Sequence, residues 1–166
     1  MIRLMFASRL KVHAGQLWRE ISRMPGVNRE ISPYLIMTYP YRFREFSLDN
    51  APTDRTLFRS ILLAGGVIPF DLHFLRLHKV LPGEGFCEQS TSLFNRRWQH
   101  TRWIVNVGPS VTEIHDRLEI NPRLHFAESL IKPIVRILFQ HRHDVLRHQY
   151  SGTSCPTDVE IPPLLL

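Results

Sequence analysis

The sequence predicts an α+β domain in which a curved antiparallel sheet is covered on one side by a long C-terminal helix. Three observations carry this. The first twelve residues alternate apolar and basic positions with a period of two, residues 70–120 form strand-length runs separated by turn chemistry, and residues 126–150 repeat apolar positions at helical spacing.

The elements follow in chain order. Ile2, Leu4, Phe6, Leu10 and Val12 are apolar while Arg3, Arg9 and Lys11 fall between them, which is the pattern of a strand with one buried face. "AGQLWREISRM" then places Leu17, Trp18, Ile21 and Met24 on one side of a helix, and Pro25-Gly26 ends it. A second short helix is expected over 28–32, closed by Pro33, and a strand over 35–39. The stretch from 41 to 70 departs from regular patterning: "DNAPTD" reads as turn, and 56–64 is expected as a short helix or flap ahead of the apolar "GGVIPF". From there 70–80, 85–94, 97–107 and 111–120 read as four strands joined by "LPGE", "NR" and "GPS", an antiparallel meander. Pro122 ends the last strand. The helix over 126–150 carries Leu130, Ile131, Ile134, Val135, Leu138, Phe139, Val145 and Leu146, with Pro133 expected in its first turn or at a kink. Residues 151–166 hold three prolines and no period, and are expected as a flexible Pro-rich tail beyond a single domain over 1–150.

Bulk properties narrow the function. A chain of 166 residues with 43% apolar and 22% charged positions is one globular domain, large enough to enclose a modest cavity. The formal charge is +6, but it is dispersed. "NRRWQHTR" and "HRHDVLRH" are the dense basic stretches and neither has the spacing of a nucleic-acid module, so no specific nucleic-acid partner is expected. Basic residues at the end of a helix complement its dipole without further function. Cys87 and Cys155 lack any CxxC partner. The N-terminal residues make a poor signal peptide and "SILLAGGVIPF" is too short to span a bilayer, so a cytoplasmic chain without a transmembrane segment is expected. His141 and His143 are two apart and His141 and His148 seven apart on the helix, the wrong spacings for one ion, so neither a metal nor a cofactor is expected. There is no G-x-S-x-G nucleophile motif.

Turn lengths set the register. If "GPS" places Val107 opposite Val111, then Arg102 faces Asp116, His100 faces Leu118 and Ile104 faces Ile114. A two-residue "NR" loop pairs Phe94 with Arg97 and puts Cys87, Gln89, Thr91 and Leu93 on the face of Trp98, His100 and Arg102. That inner face, completed by Ile120, carries charge among apolar residues, and burying charge costs several kcal/mol unless it is paired. Two readings follow: an Arg102–Asp116 ion pair that neutralises itself, or a polar anchor for a ligand.

The order strand, two short helices, several strands, long helix resembles the START, polyketide-cyclase and pathogenesis-related allergen superfamily (SRPBCC), whose helix-grip fold wraps a sheet around the C-terminal helix. The stretches that carry the resemblance are "FASRLKVHAGQLWREISRMPGVN", "TEIHDRLEI" and "LFQHRHDVLRHQY". The irregular segment from 41 to 70 departs from the superfamily's pattern, and the inner polar residues do not reproduce a known catalytic motif. The resemblance implies a cavity for a hydrophobic or amphipathic small molecule such as a lipid, polyketide or aromatic. Its expected apolar lining is Trp98, Ile104, Ile114, Leu118, Val135 and Leu138; its expected polar contacts are Gln89, His100, Arg102, Asp116 and, from the helix stripe, Arg142. The alternatives are a polyketide cyclase or dehydratase, with His100 or Asp116 as acid or base and Arg102 holding developing charge, and a basic interaction module built on the helix end.

Overall fold

Strand β1 (Ile2–Leu10) opens a sheet of eight strands in the order β2-β3-β4-β5-β6-β7-β1-β8. In this computed structural model residues 1–157 and 160–165 are described. The alternation read in the sequence holds in β1: Ile2, Leu4 and Leu10 are buried and Ser8 joins them, while Arg3 and Arg9 are exposed. Helix α1 (Ala14–Ile21) buries Leu17, Trp18 and Ile21. Helix α2 (Met24–Ile31) starts earlier than expected because Pro25 lies in its first turn, where a missing N–H costs nothing, rather than between the two helices.

After β2 (Leu35–Met37) and two single 3-10 turns, β3 (Thr56–Ala64) and β4 (Ile68–Leu81) form a hairpin. The helix or flap expected over 56–64 is therefore a strand. Gly65 and Gly66, at φ +58 and +78, supply the left-handed turn that reverses the chain, so the glycine pair is hairpin chemistry. Strands β5 (Gly85–Ser92), β6 (Asn95–Gly108) and β7 (Val111–Pro122) complete the meander, and helix α3 (Glu128–Gln149) packs on it, mainly on β1 and α2. Pro133 sits more than a turn into α3 and the helix runs on through it.

The β6–β7 register is the expected one: Arg102 pairs with Asp116, His100 with Leu118 and Ile104 with Ile114. The β5–β6 register is not. Phe86 pairs with Arg102, Glu88 with His100 and Ser90 with Trp98, because the chain turns at Leu93 and Phe94 rather than at Asn95 and Arg96. The pairing is displaced by an odd number of residues, which turns every β5 side chain over. Cys87 and Gln89 thus lie on the outer face, and Phe86, Glu88, Ser90 and Ser92 take the inner one.

The segment expected as a tail outside the domain contributes to it. Residues Thr153–Ser154 (β8) pair with β1, and Ile161 and Leu165 are buried over Trp103 on the outer face of the sheet. Gly85 records the closeness of this packing: a Cβ there would lie 2.4 Å from the Arg102 carbonyl oxygen and 2.9 Å from Leu165. Under the sheet, α3 presses Val135 and Phe139 onto Ile2, Leu4, Leu118 and Ile120, while Leu146 joins Leu10, Leu17 and Ile114 beside α1. Each such side chain contributes roughly 1.5–3 kcal/mol by leaving water.

Candidate functional site

Between the sheet and α3 lies a buried network of charged and polar side chains. Arg102 and Asp116, opposite each other on β6 and β7, are both completely buried. Arg102 donates from Nε and Nη2 to the two Asp116 oxygens at 2.7 and 2.8 Å, and from Nη1 to both oxygens of Glu30 at 3.0 and 2.8 Å. Arg142, one turn beyond Leu138 on α3, donates to the same Glu30 from Nε at 3.1 Å and Nη2 at 2.9 Å. Two guanidinium groups and two carboxylates make a neutral core of the network.

Histidines extend it in both directions. His100 Nε2 lies 2.7 Å from Asp116 Oδ1 and His143 Nε2 lies 3.0 Å from Oδ2, so the carboxylate receives four donors. Beyond His143, its Nδ1 meets Ser8 Oγ at 2.8 Å, and Arg147 donates to that hydroxyl at 2.7 Å. On the other side His100 faces Glu88, which accepts from His73 Nε2 at 2.7 Å and from Ser90 Oγ at 2.6 Å. A continuous polar chain therefore runs from Arg147 at the end of α3 to His73 on β4.

Burial alone would raise the Asp116 carboxyl pKa, but Arg102 and His100 overcome it and hold the group well below the ordinary carboxylate range. Burial and then the His100 and His73 contacts compete in the same way at Glu88, which is also depressed. Arg102 is pushed the other way: desolvation opposes its charge, and Asp116 and Glu30 more than restore it. Asp116 and Glu88 are held as anions at neutral pH, and Nε2 of His100, His143 and His73 faces them as donor.

Most of the expected site residues meet here. His100, Arg102, Asp116 and Arg142 are in the network; Ile104 and Ile114 pack in one core cluster and Leu118 and Val135 in the next, with Trp98 beside them. Leu138 is half-buried on α3. Gln89 is not in it, and Glu88 holds the corresponding place. Glu30, His73, His143, Ser8 and Ser90 were missed. His73 was legible, since Asp71, His73, Leu75 and Leu77 share the inward parity of β4. Glu30 was legible only through charge: Arg102, Asp116 and Arg142 leave one cation over, which demands another buried carboxylate.

Outside the network, one stripe of α3 is left uncovered. On α3, Ile131 and Leu138 are half-buried, and next to them Leu130, Ile134 and Ile137 are 64%, 64% and 55% exposed. The stripe continues at His141, which meets the Ser32 carbonyl at 2.6 Å and packs edge-on against Tyr34, between α2 and β2. A separate open pocket of about 590 Å³ lies among Arg42, Phe43, Phe46, Pro52, Arg55, Thr56 and Leu57, away from the network.

A family model described as a domain of unknown function, DUF8410, matches residues 8–150. The chain belongs to this family. A search of curated proteins finds no match. Among solved structures, the DUF8410 chain is similar to a START superfamily protein from Mycobacterium smegmatis, with TM-score 0.62 and 12% identity over 90% of this chain and 97% of that one. It is similar too to the Zhui aromatase/cyclase from Streptomyces, with TM-score 0.62 and 8% identity over 89% and 92%. An HSP90 activator from Plasmodium falciparum superposes with TM-score 0.60 and 6% identity over 93% and 100%. The DUF8410 domain thus has the helix-grip fold of the SRPBCC superfamily. Among the described residues, no helix is long and apolar enough to cross a membrane.

Chemically, the DUF8410 network offers fixed charge rather than a reactive group. Both oxygens of Asp116 are occupied, each by two donors, and Arg102 is engaged through all three nitrogens. Ser8, His143 and Asp116 are linked in series, but Ser8 is fully buried and already accepts from Arg147.

Proposed function

We propose that the chain is a non-catalytic carrier or sensor of a hydrophobic or amphipathic small molecule, seated against the open flank of α3 and the inner face of the sheet beside it. The observation that carries this reading is the flank itself: Leu130, Ile134 and Ile137 are apolar, lie at helical spacing along one stripe of α3 and are more than half exposed. Trp98 stands between Phe139 of α3 and His73 of β4, so a ligand passing it has the His73–Glu88–His100 chain as its first polar contact. Trp98 and Leu138, both half-buried, supply apolar surface, with Leu118 and Val135 packed in the core behind them. Arg102, Asp116 and Arg142 form a rigid polar floor, with their hydrogen bonds already made. Both cysteines are free, in keeping with a reducing, cytoplasmic setting.

Acid–base cyclisation is the weaker reading because Asp116 is held as an anion by four donors and is a poor proton acceptor. Native mass spectrometry of freshly purified protein, with solvent extraction of anything retained, tests the binding reading directly. A defined apolar molecule that is retained by the wild type and lost from Ile134→Asp, with the fold intact by circular dichroism, is the expected result. Protein that stays free of ligand after exposure to a panel of lipids and aromatics overturns it.

A further inference from the structure

The outer face of the same strands carries a second polar group. Glu113 and His115 of β7 and Cys155, the residue after β8, bring a carboxylate oxygen, an imidazole nitrogen and a sulfur within 4.8 Å of one another. We propose that these three side chains bind a divalent transition-metal ion of the zinc class and thereby clip the C-terminal segment to the sheet.

The donor set is the first argument. One nitrogen, one thiolate and one carboxylate suit a borderline-soft ion, and three protein ligands leave a fourth position for water. Ligand atoms around one zinc lie roughly 3.5 Å apart, given bonds of about 2.0–2.3 Å, so the cluster closes by modest side-chain rotation.

His115 supplies the second. It is 1% exposed and stacks on Trp103 with centroids 5.1 Å apart, and its Nδ1 is buried without a partner among the described residues. Its Nε2 lies 3.3 Å from Glu113 Oε2. A neutral imidazole has one proton for these two positions. On Nε2 it leaves Nδ1 bare, and on Nδ1 it leaves the Nε2 lone pair facing a carboxylate. An ion between Nε2 and Oε2 removes that repulsion.

The surroundings hold the other two ligands in place. Arg9 donates to Glu113 Oε1 from Nε at 2.8 Å and from Nη2 at 2.6 Å, which leaves Oε2 for His115 and gives the carboxylate an outer partner. Cys155 arrives on a fixed path. Thr153 pairs with Arg9 and Ser154 with Ser8, and a Cβ on Gly152 would stand 2.5 Å from the Arg9 carbonyl oxygen. Ala7, opposite His115 on β1, is the small residue that leaves room between the two rows. Helical spacing of histidines gave no hint of this site, because sheet pairing assembles its ligands.

Cys155 binds an ion only as the thiolate, so metal entry displaces a thiol proton and affinity rises with pH. The test is titration of the full reduced chain with Co²⁺ at mildly alkaline pH, followed by Zn²⁺ competition. A thiolate-to-cobalt charge-transfer band in the wild type and in Cys87→Ser, and its loss in a folded Cys155→Ser, is the expected result. Arg9→Ala keeps the band and weakens Zn²⁺ binding about 10–100-fold. No band in the wild type, or an equal band in Cys155→Ser, overturns the proposal.

Discussion

Strands β6 and β7 carry two polar groups back to back, and the difference between them separates architecture from function. On the inner face Arg102 and Asp116 meet every neighbour with a hydrogen bond and neutralise one another with Glu30 and Arg142. On the outer face, one residue along, Trp103 and His115 are just as buried, but the indole Nε1 and the imidazole Nδ1 have no partner among the described residues. The inner network is saturated and fixes the fold, whereas the outer group carries buried polar atoms that cost stability.

The sharpest way to break the comparison is at Asp116. Asp116→Ala leaves Arg102, His100 and His143 buried without their shared acceptor, and the expected loss is about 3–5 kcal/mol in urea unfolding. Glu30→Gln, which leaves two guanidinium groups facing a neutral amide, falls at the lower end of that range. If either variant is as stable as the wild type, the inner network is not what holds α2 and α3 to the sheet.

Acid titration separates the two faces without mutation. The folded-state pKa values of Asp116 and Glu88 are depressed below their ordinary 3.8 and 4.5, so the unfolded chain binds more protons there. Their stabilisation is complete above about pH 4.5 and is lost as pH falls through that range towards the folded values. His115 is also depressed, from 6.5, and its contribution is lost earlier, as pH falls below that value. Unfolding free energy measured against pH should therefore decline in two stages, and His115→Gln should remove the upper stage alone.

Legibility followed the same division. The strands over 70–120 and the Arg102–Asp116 pairing could be read because a short polar loop fixes the β6–β7 register. The β5–β6 register could not, because the exposed pair Leu93 and Phe94 makes the turn while Asn95, the conventional turn residue, is buried in β6 and held by Ser92. That slip put Gln89 in the site in place of Glu88. The hairpin at Gly65 and Gly66 was hidden by an apolar run whose period fits helix and strand alike. Glu30 and Cys155 come from segments that local patterning treats as a helix end and a tail, and only long-range packing assigns them.

The smallest expected effect lies at Trp103, and it bears most directly on what an unpaired buried group costs. Trp103→Phe keeps an aromatic ring against His115, Ile161 and Leu165 and removes the indole N–H, which has no acceptor among the described residues. The lost contacts destabilise, and the relieved desolvation penalty, about 1–3 kcal/mol for an unsatisfied donor, offsets them. The net change should stay within about 1 kcal/mol, far below that of Asp116→Ala although both residues are fully buried. A loss at Trp103 as large as at Asp116 would mean that the indole nitrogen has an acceptor in solution and that the outer face is as saturated as the inner one.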